Sequence, residues 1–463
     1  MDSPPPHPSR AAPRSGHPPA RPDGLAWLSL ALLLAAAAAG LVPPTPRPFP
    51  ASAPAGEFAA ERALVHLREI ARAPHPTGSP ENAAVRAYLQ RELAAAGLAV
   101  ETQTAPLPFA PETPLVNVLA RLPGRDPTGA IALVAHHDSR PARNGDEPPV
   151  SCGAGDDGAA VAAILETLRA LGTGPPLKND LLVVITDAEE RGLCGARAFL
   201  EHPWCAEIDA VLNFEGRGSR GPVLMFETSE PSGWLVAEWA EAAPHPVGAS
   251  MMAAVYRRMP NDSDFTVFRE RGVPGLNFAF IGGYEAYHTA LDTVENLDPA
   301  SVQHHGETML ALARRLGELD LGAPRPAGEL VYFDAVGSRL VRHSPAWRWP
   351  ELALASLLAL FATAAALRRG EASLGRLLGG GVAMLAAIAA ATALAAGLVA
   401  AVLAIVPGAR SHTPHDEIFF AALALAAAAL VFGLARLADR LVGPRAVDLG
   451  WLAGWILLLV ATC

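Results

Sequence analysis

Thiols are scarce in this chain. Its 463 residues include four cysteines, Cys152, Cys194, Cys205 and Cys463. No two of them stand in a C-x-x-C spacing, which excludes a zinc ribbon and a thioredoxin-type redox motif. If the first three face an oxidising compartment, two of them can pair, and the sequence leaves open which two. Charge is scarce as well. Charged residues make up 18% of the chain against 51% hydrophobic, too apolar a balance for an ordinary soluble protein. No basic block offsets the net charge of −10, which excludes nucleic acid as the main partner. Nothing in the composition bears on oligomeric state.

The excess of apolar residues is unevenly spread. Prolines gather in the first 25 residues and again in 43–54. These stretches read as a disordered tail (1–24) and a Pro/Ala linker (43–55). Between them, "LAWLSLALLLAAAAAGLV" (25–42) is uncharged and meets the lower limit of a spanning helix, roughly 17–25 residues. Arg10, Arg14 and Arg21 precede it and place the tail in the cytoplasm. A cleaved signal peptide is the competing reading, but the run is longer than a signal core of roughly 7–15 residues, so an anchor is favoured. After a second linker (321–348), residues 349–463 turn apolar again. Spans are expected at 349–367, within 377–406, at 418–435 and at 447–462. Arg368, Arg369 and Arg376 mark one loop between spans, and Arg436, Arg440 and Arg445 another. By the positive-inside rule both loops are cytoplasmic. The intervening segment 56–320 then lies on the extracytoplasmic side, as the first helix also requires. A lipid bilayer is therefore an expected partner.

Segment 56–320 has the composition of an α/β domain. "IALVA" (131–135), "LLVVI" (181–185), "AVLNF" (210–214) and "GLNFAF" (275–280) read as buried strands. Helical patterns such as 158–171 and 301–316 alternate with them. That order predicts a mostly parallel sheet sandwiched by helices. With one N-terminal and about four C-terminal spans, it completes the expected architecture.

The chemistry lies at the strand ends. "IALVA" runs into His136, His137, Asp138 and Ser139; "LLVVI" into Thr186, Asp187, Ala188, Glu189 and Glu190; "AVLNF" into Glu215. The helix at 158 is entered through Asp156 and Asp157, and His288 comes late in the domain. Ligands gather at the carboxyl ends of strands in open parallel sheets. Two adjacent glutamates at the end of a buried strand are costly unless something positive lies there. Histidine and carboxylate donors without thiolates suit Zn²⁺ in an open site.

The motifs "AHHDS", "GAGDDGAAVAAILE", "DAEERGLCGARAF", "LNFEGRG" and "YHTALDTVENLD", in that order, resemble the di-zinc aminopeptidase family. That family includes glutamate carboxypeptidase II and the membrane-bound endoplasmic-reticulum and vacuolar metallopeptidases. "NFEGRG", with Glu where Asp is commoner, and the layout of anchor, outward domain and C-terminal spans look most like the membrane-bound branch. The resemblance implies two zincs per chain. His136 and Glu215 would hold one, Glu190 and His288 the other, and Asp156 would bridge them. Asp138 would orient the His136 ring, and Asp157 would remain unligated and set the local backbone. Glu189 would be the general base toward the attacking water. Tyr287 would stabilise the oxyanion, since Pro260 stands where some relatives carry a tyrosine for that task. Asp292, Glu295 and Asn296 would fix the loop bearing His288. His304 and His305, on a helix after the last motif, are expected at the surface.

The resemblance thus implies a membrane-anchored, zinc-dependent exopeptidase acting on peptides, with an aminopeptidase as the first reading. Arg140, Arg143, Arg217, Arg257 and Arg258 lie near the motifs and keep a carboxypeptidase open. A glutaminyl-cyclase-like acyltransferase on the same fold is an alternative. Those enzymes use one zinc and lack the first histidine, so His136 argues against it. A non-catalytic receptor or scaffold is the third reading, disfavoured because every ligand position and the base are filled.

Overall fold

The computed structural model describes residues 45–142, 150–335, 339–405 and 416–462. The expected anchor at 25–42 and the tail before it lie outside them. A seven-stranded sheet has the order β1-β2-β4-β3-β5-β7-β6. The centre is formed by β3 (Ala130–His136), β4 (Asp180–Thr186), β5 (Ile208–Gly216) and β7 (Gly275–Gly282). These four pair in parallel. They are the four runs expected from the sequence, and they lack polar/apolar alternation because both faces are covered. The flanking strands β1 (Ala99–Leu107), β2 (Ala110–Leu122) and β6 (Arg220–Thr228) join antiparallel at the two edges.

The two faces of the sheet feed two separate clusters. Ile131, Leu133, Leu181, Val183, Leu212 and Phe214 point to the side covered by α1 (Ala60–Ile70), α3 (Ala159–Leu171) and α8 (Pro299–Gly317). Ala132, Val134, Leu182, Val184 and Val211 point to the other, under α4 (Cys194–Phe199) and α7 (Asp264–Glu270). The period-2 switch of side chains along each strand produces this division. Helices start where their caps predict. Ser79 accepts from the Asn82 amide ahead of α2 (Pro80–Ala95), and Asp298 from the Ala300 amide ahead of α8, each with proline in the first turn. At Gly306 a Cβ would stand 2.0 Å from the Phe58 ring, so the absence of a side chain lets α8 approach the chain entering α1.

Several expectations are corrected. His304 and His305 are buried, not at the surface. Helix α8 meets the sheet on one side and the N-terminal segment on another, so little of it remains for solvent. His304 Nδ1 accepts from the Val223 amide, and its Nε2 donates to the His245 carbonyl. His305 lies among Phe214 and Phe280 with neither nitrogen hydrogen-bonded. The supposed linker before residue 56 is fastened to the domain: Gln303 accepts from the Phe49 amide, and Arg62 and Arg169 donate to the Ala51, Ala53 and Ala55 carbonyls. The stretch 321–348 contains a hairpin, β8 (Val331–Ala335) with β9 (Arg339–His343). Cys152, Cys194 and Cys205 are all free thiols, so the pairing considered for them is not made.

Beyond the hairpin come α9 (Arg348–Arg368), α10 (Leu374–Ile405), α11 (Asp416–Val442) and α12 (Pro444–Thr462). Among the described residues three helices are long and apolar enough to cross a membrane: Pro345–Arg368, Leu374–Ile405 and Ala421–Val442. The fourth expected span is a helix too, but it is not one of those three.

Burial lowers His305 to about 3, and His304 and His75 to about 4. Their folded values lie below the unfolded one, so the unfolded chain takes up protons first as pH falls. The stability they leave intact above about 6.5 is lost progressively toward the folded values. His305 makes no hydrogen bond to lose, so His305→Leu should reduce acid destabilisation at about pH 5 by about 1–2 kcal/mol. Thermal unfolding of the detergent-solubilised chain at neutral and acid pH measures this. An unchanged acid loss in the variant would refute it.

Candidate metal centre

The carboxyl ends of β3, β4 and β5 bring His136, Glu189, Glu190 and Glu215 to one edge, as the register of the parallel strands requires. The turn into α3 supplies Asp156 and Asp157, and the loop after β7 supplies His288. Two groups result whose ligand atoms lie within 4.8 Å of one another: His136 with Asp157 and Glu215, and Asp156 with Glu190 and His288. Asp156 also reaches both histidines. Its Oδ1 is 3.2 Å from His136 Nε2, and its Oδ2 is 3.1 Å from His288 Nε2. Glu215 Oε2 stands 3.8 Å from His136 Nε2, and Glu190 Oε1 3.2 Å from His288 Nε2.

The proton on His136 is assigned by its neighbours. Nδ1 donates to the Asp138 carbonyl at 2.9 Å and faces the Asp138 carboxylate at 3.4 Å. Nε2 thereby faces the carboxylate oxygens of Asp156 and Glu215 and is the ring atom able to ligate a metal once its proton is given up. Asp138 does more than orient this ring. Its Oδ1 accepts the Glu189 amide at 3.0 Å and its Oδ2 the Glu190 amide at 3.3 Å. One carboxylate thus holds the first histidine and both glutamates in register. Burial opposes its charge, yet the His136 contact keeps its pKa below the ordinary value. The backbone also bends for the glutamates: Ala188, just before them, has φ 61°, and His288 has φ 60°. Such left-handed conformations in non-glycine residues are held by their surroundings and gather at functional sites.

The electrostatics are those of a site short of positive charge. Burial pushes Glu189 well above the usual carboxylate range, with Glu215 and Glu190 adding to the shift. Burial also raises Glu215, to about 7. His288 rises to about 9: burial opposes the charged ring, but Asp156 and Glu190 outweigh it. Asp157 Oδ1 and Glu190 Oε1 are buried with no hydrogen bond. Convergent acceptors, unsatisfied buried oxygens and a donor set of imidazole and carboxylate without thiolate fit Zn²⁺.

Asp157 accepts the His136 amide at 3.2 Å, in the backbone-setting position expected of it, but it also comes within ligand range of the first group. His137 Nε2 donates to the Val116 carbonyl, away from the cluster. The Tyr287 ring stacks on His288 with centroids 3.6 Å apart, and burial raises its phenol, keeping it protonated. Asp292 holds the loop before Asp156, accepting from the Gly155 amide at 2.6 Å and Ser151 Oγ at 3.1 Å. Asn296 donates to the Leu291 carbonyl within the His288 loop. Of the arginines, Arg140 pairs with Glu190 at 2.6 Å and Arg257 pairs with Glu230. Arg258 bonds the Ala254 carbonyl, and Arg143 lies outside the described residues. Sequence reasoning missed the Arg140–Glu190 pair and the layer in which Asp187 accepts from Thr77, Asn82 and Val116. Both join residues far apart in the chain, and no local pattern signals them.

Glycine makes the close approach of two site loops possible. A Cβ at Gly216 would stand 2.0 Å from the Gly155 carbonyl oxygen. Gly216→Ala should therefore push Asp156 out of position. Elemental analysis of the purified variant should find at least one metal ion per chain fewer than in wild type. Undiminished metal content would show that this contact does not set the cluster.

Known proteins are similar to this chain over the same region. Residues 117–313, which contain every member of the cluster, match the model of peptidase family M28. Endoplasmic reticulum metallopeptidase 1 of Rattus norvegicus is 30% identical over 315 residues, 62% of this chain and 34% of its own length. The vacuolar membrane protease of Candida albicans (strain SC5314) is 30% identical over 253 residues, 53% of this chain and 29% of its own. The chain thus spans about a third of the length of these curated relatives. Among solved structures, the aminopeptidase from Aneurinibacillus sp. strain AM-1 matches with a TM-score of 0.47 at 16% identity, covering 59% of this chain and 98% of its own. Porphyromonas gingivalis glutaminyl cyclase matches with a TM-score of 0.45 at 23% identity, covering 55% and 97%. The family whose model this chain matches, over residues 117–313, is peptidase family M28.

Proposed function

We propose that this chain is a zinc-dependent exopeptidase held at a membrane, with its peptidase domain on the extracytoplasmic side. The observation that carries the proposal is the division of Asp156 between His136 and His288 at 3.2 Å and 3.1 Å. Each histidine has a further carboxylate beside it, an arrangement suited to two cations sharing one ligand. His136, Asp156 and Glu215 would hold one zinc, and Asp156, Glu190 and His288 the second. Bound zinc supplies positive charge that lowers the pKa of water and polarises a scissile carbonyl.

The rest falls to the protein. Glu189, set by Asp138 through its amide, takes a proton from the attacking water and passes it to the leaving amine. Its burial favours holding that proton in transit. Tyr287 keeps its phenolic proton and so can donate to the oxyanion. Arg140 neutralises the Glu190 oxygen that faces away from His288. The narrower reading carried from the sequence is an aminopeptidase, and a peptide-library digest read by mass spectrometry discriminates it from cleavage at the other end. The names of the relatives, a metallopeptidase of the endoplasmic reticulum and a vacuolar membrane protease, support proteolysis and a membrane location. A glutaminyl-cyclase-like reaction would instead show one zinc and pyroglutamate as product, and a scaffold would show no turnover.

The zinc-loaded chain should carry about two zincs. Glu189→Gln should lower kcat by about 10²–10⁴-fold without changing that number. One zinc per chain, or a variant as active as wild type, would sink the mechanism. In sealed vesicles with the cytoplasmic face outward, residues 56–320 should resist added protease until detergent is supplied. Digestion before detergent would reverse the assigned orientation.

A further inference from the structure

Arg217 stands two residues beyond Glu215 and is set apart from the arginines around it. Arg140, Arg220 and Arg257 each pair with a glutamate. Arg217 donates only to neutral groups, the Tyr256 hydroxyl at 3.2 Å and the Asp262 carbonyl at 2.9 Å. Its Nε is buried with no partner, and among the described residues no carboxylate pairs with it. The guanidinium carbon lies 5.7 Å from the Tyr256 ring centre and 5.8 Å from that of Tyr287. Since Tyr287 stacks on His288, this charge is one aromatic ring away from the metal cluster.

Arg217 also lines a cavity of about 380 Å³, within the usual range for small-ligand sites. Its other walls are mainly apolar, with Phe226, Met251, Val255, Tyr256 and Met259, and Asn261 adds one amide. Met251 and Val255 are 73% and 54% exposed, unusual for such side chains in one cluster, and they leave the opening apolar. Tyr284, on the same wall, stacks on Tyr287 at 5.4 Å and joins the cavity to the cluster. A fixed guanidinium with no carboxylate directly paired to it is matched by a carboxylate. An apolar cavity under it is matched by an apolar side chain on the same residue.

We propose that Arg217 and this cavity take the C-terminal residue of a peptide, with the guanidinium on its terminal carboxylate and a large apolar side chain in the cavity. This rests on the exopeptidase reading above and names the end of the peptide that the site reads, in place of the aminopeptidase form. The bond cut is the one preceding that residue. Water's hydroxyl joins the carbonyl carbon, the C–N bond breaks, and the proton held by Glu189 goes to the departing amine. The product is a free apolar amino acid with its carboxylate still on Arg217.

The test uses the zinc-loaded full chain in detergent and N-acetylated peptides ending in phenylalanine, as free acid or as amide. Amidation should raise KM about tenfold or more, the effect of losing one charge-assisted pair. Arg217→Gln should raise KM for the acid to the level of the amide while leaving kcat within a few-fold. Equal cleavage of acid and amide by wild type, or a variant that lowers both alike, would overturn the proposal. Val255→Trp, at the open mouth, should shift preference from phenylalanine to alanine at the last position and keep the acid/amide ratio. An unchanged side-chain preference counts against the cavity. Calorimetric titration with N-acetylphenylalanine and its amide needs no turnover. Tighter binding of the acid, lost in Arg217→Gln, supports the assignment, and equal binding refutes it. Should no peptide be hydrolysed, the exopeptidase reading fails, and this titration still decides the role of Arg217.

Discussion

Buried negative charge is the constraint around which this domain is organised. Asp138, Asp156, Asp157, Glu189, Glu190 and Glu215 converge with two imidazoles and one arginine; Asp138, Asp156, Asp157, Glu215 and His136 are buried, while Glu189, Glu190, His288 and Arg140 lie toward the opening. Removing carboxylates from water costs several kcal/mol each unless opposite charge accompanies them. The pKa shifts record that shortage: Asp157, Glu189, Glu190 and Glu215 are pushed up by burial, and His136 and His288 are held charged by the carboxylates beside them. Two divalent cations would resolve the imbalance, and the donor atoms face inward on the spaces where they would lie.

The sheet makes the convergence possible. Parallel strands end at one edge, so residues in separate motifs arrive together without long loops. Asp138 then couples the parts. It fixes the tautomer of His136 through its own backbone carbonyl and receives the amides of Glu189 and Glu190 through its carboxylate. In the proposed mechanism metal ligation and proton transfer are thereby tied to one side chain, and displacement of any partner is felt by the others. Gly216 against Gly155 performs a similar task by contact alone, letting the β5 end meet the turn that bears Asp156.

Much of this was legible because the central strands are continuous apolar runs, each punctuated by its functional residues. The residues brought together, His136, Asp156, Glu190, Glu215 and His288, were those singled out by their places after strands and in loops. What escaped depends on packing between distant segments. His304 and His305 look like surface residues because polar pairs on helices usually are, yet α8 is covered on two sides. The Pro/Ala stretch before residue 56 has the composition of a free linker, but its carbonyls and amides find Arg62, Arg169 and Gln303. The partners of Arg140 and Arg217 could not be told apart in sequence, since both simply come after ligand positions. In the fold, one meets Glu190 and the other meets tyrosines.

The hairpin between the sheet domain and α9, the first apolar helix among the described residues, has a mechanical consequence. Tyr332 of β8 is buried beside Trp239, and Arg342 of β9 grips Glu241 and the Ala237 carbonyl. Helix α9 begins at Arg348, a few residues after the hairpin ends at His343. Little chain is left between them to act as a leash. The sheet domain therefore has a short radius of swing about α9, and in the proposed function the peptide's own length must do the reaching.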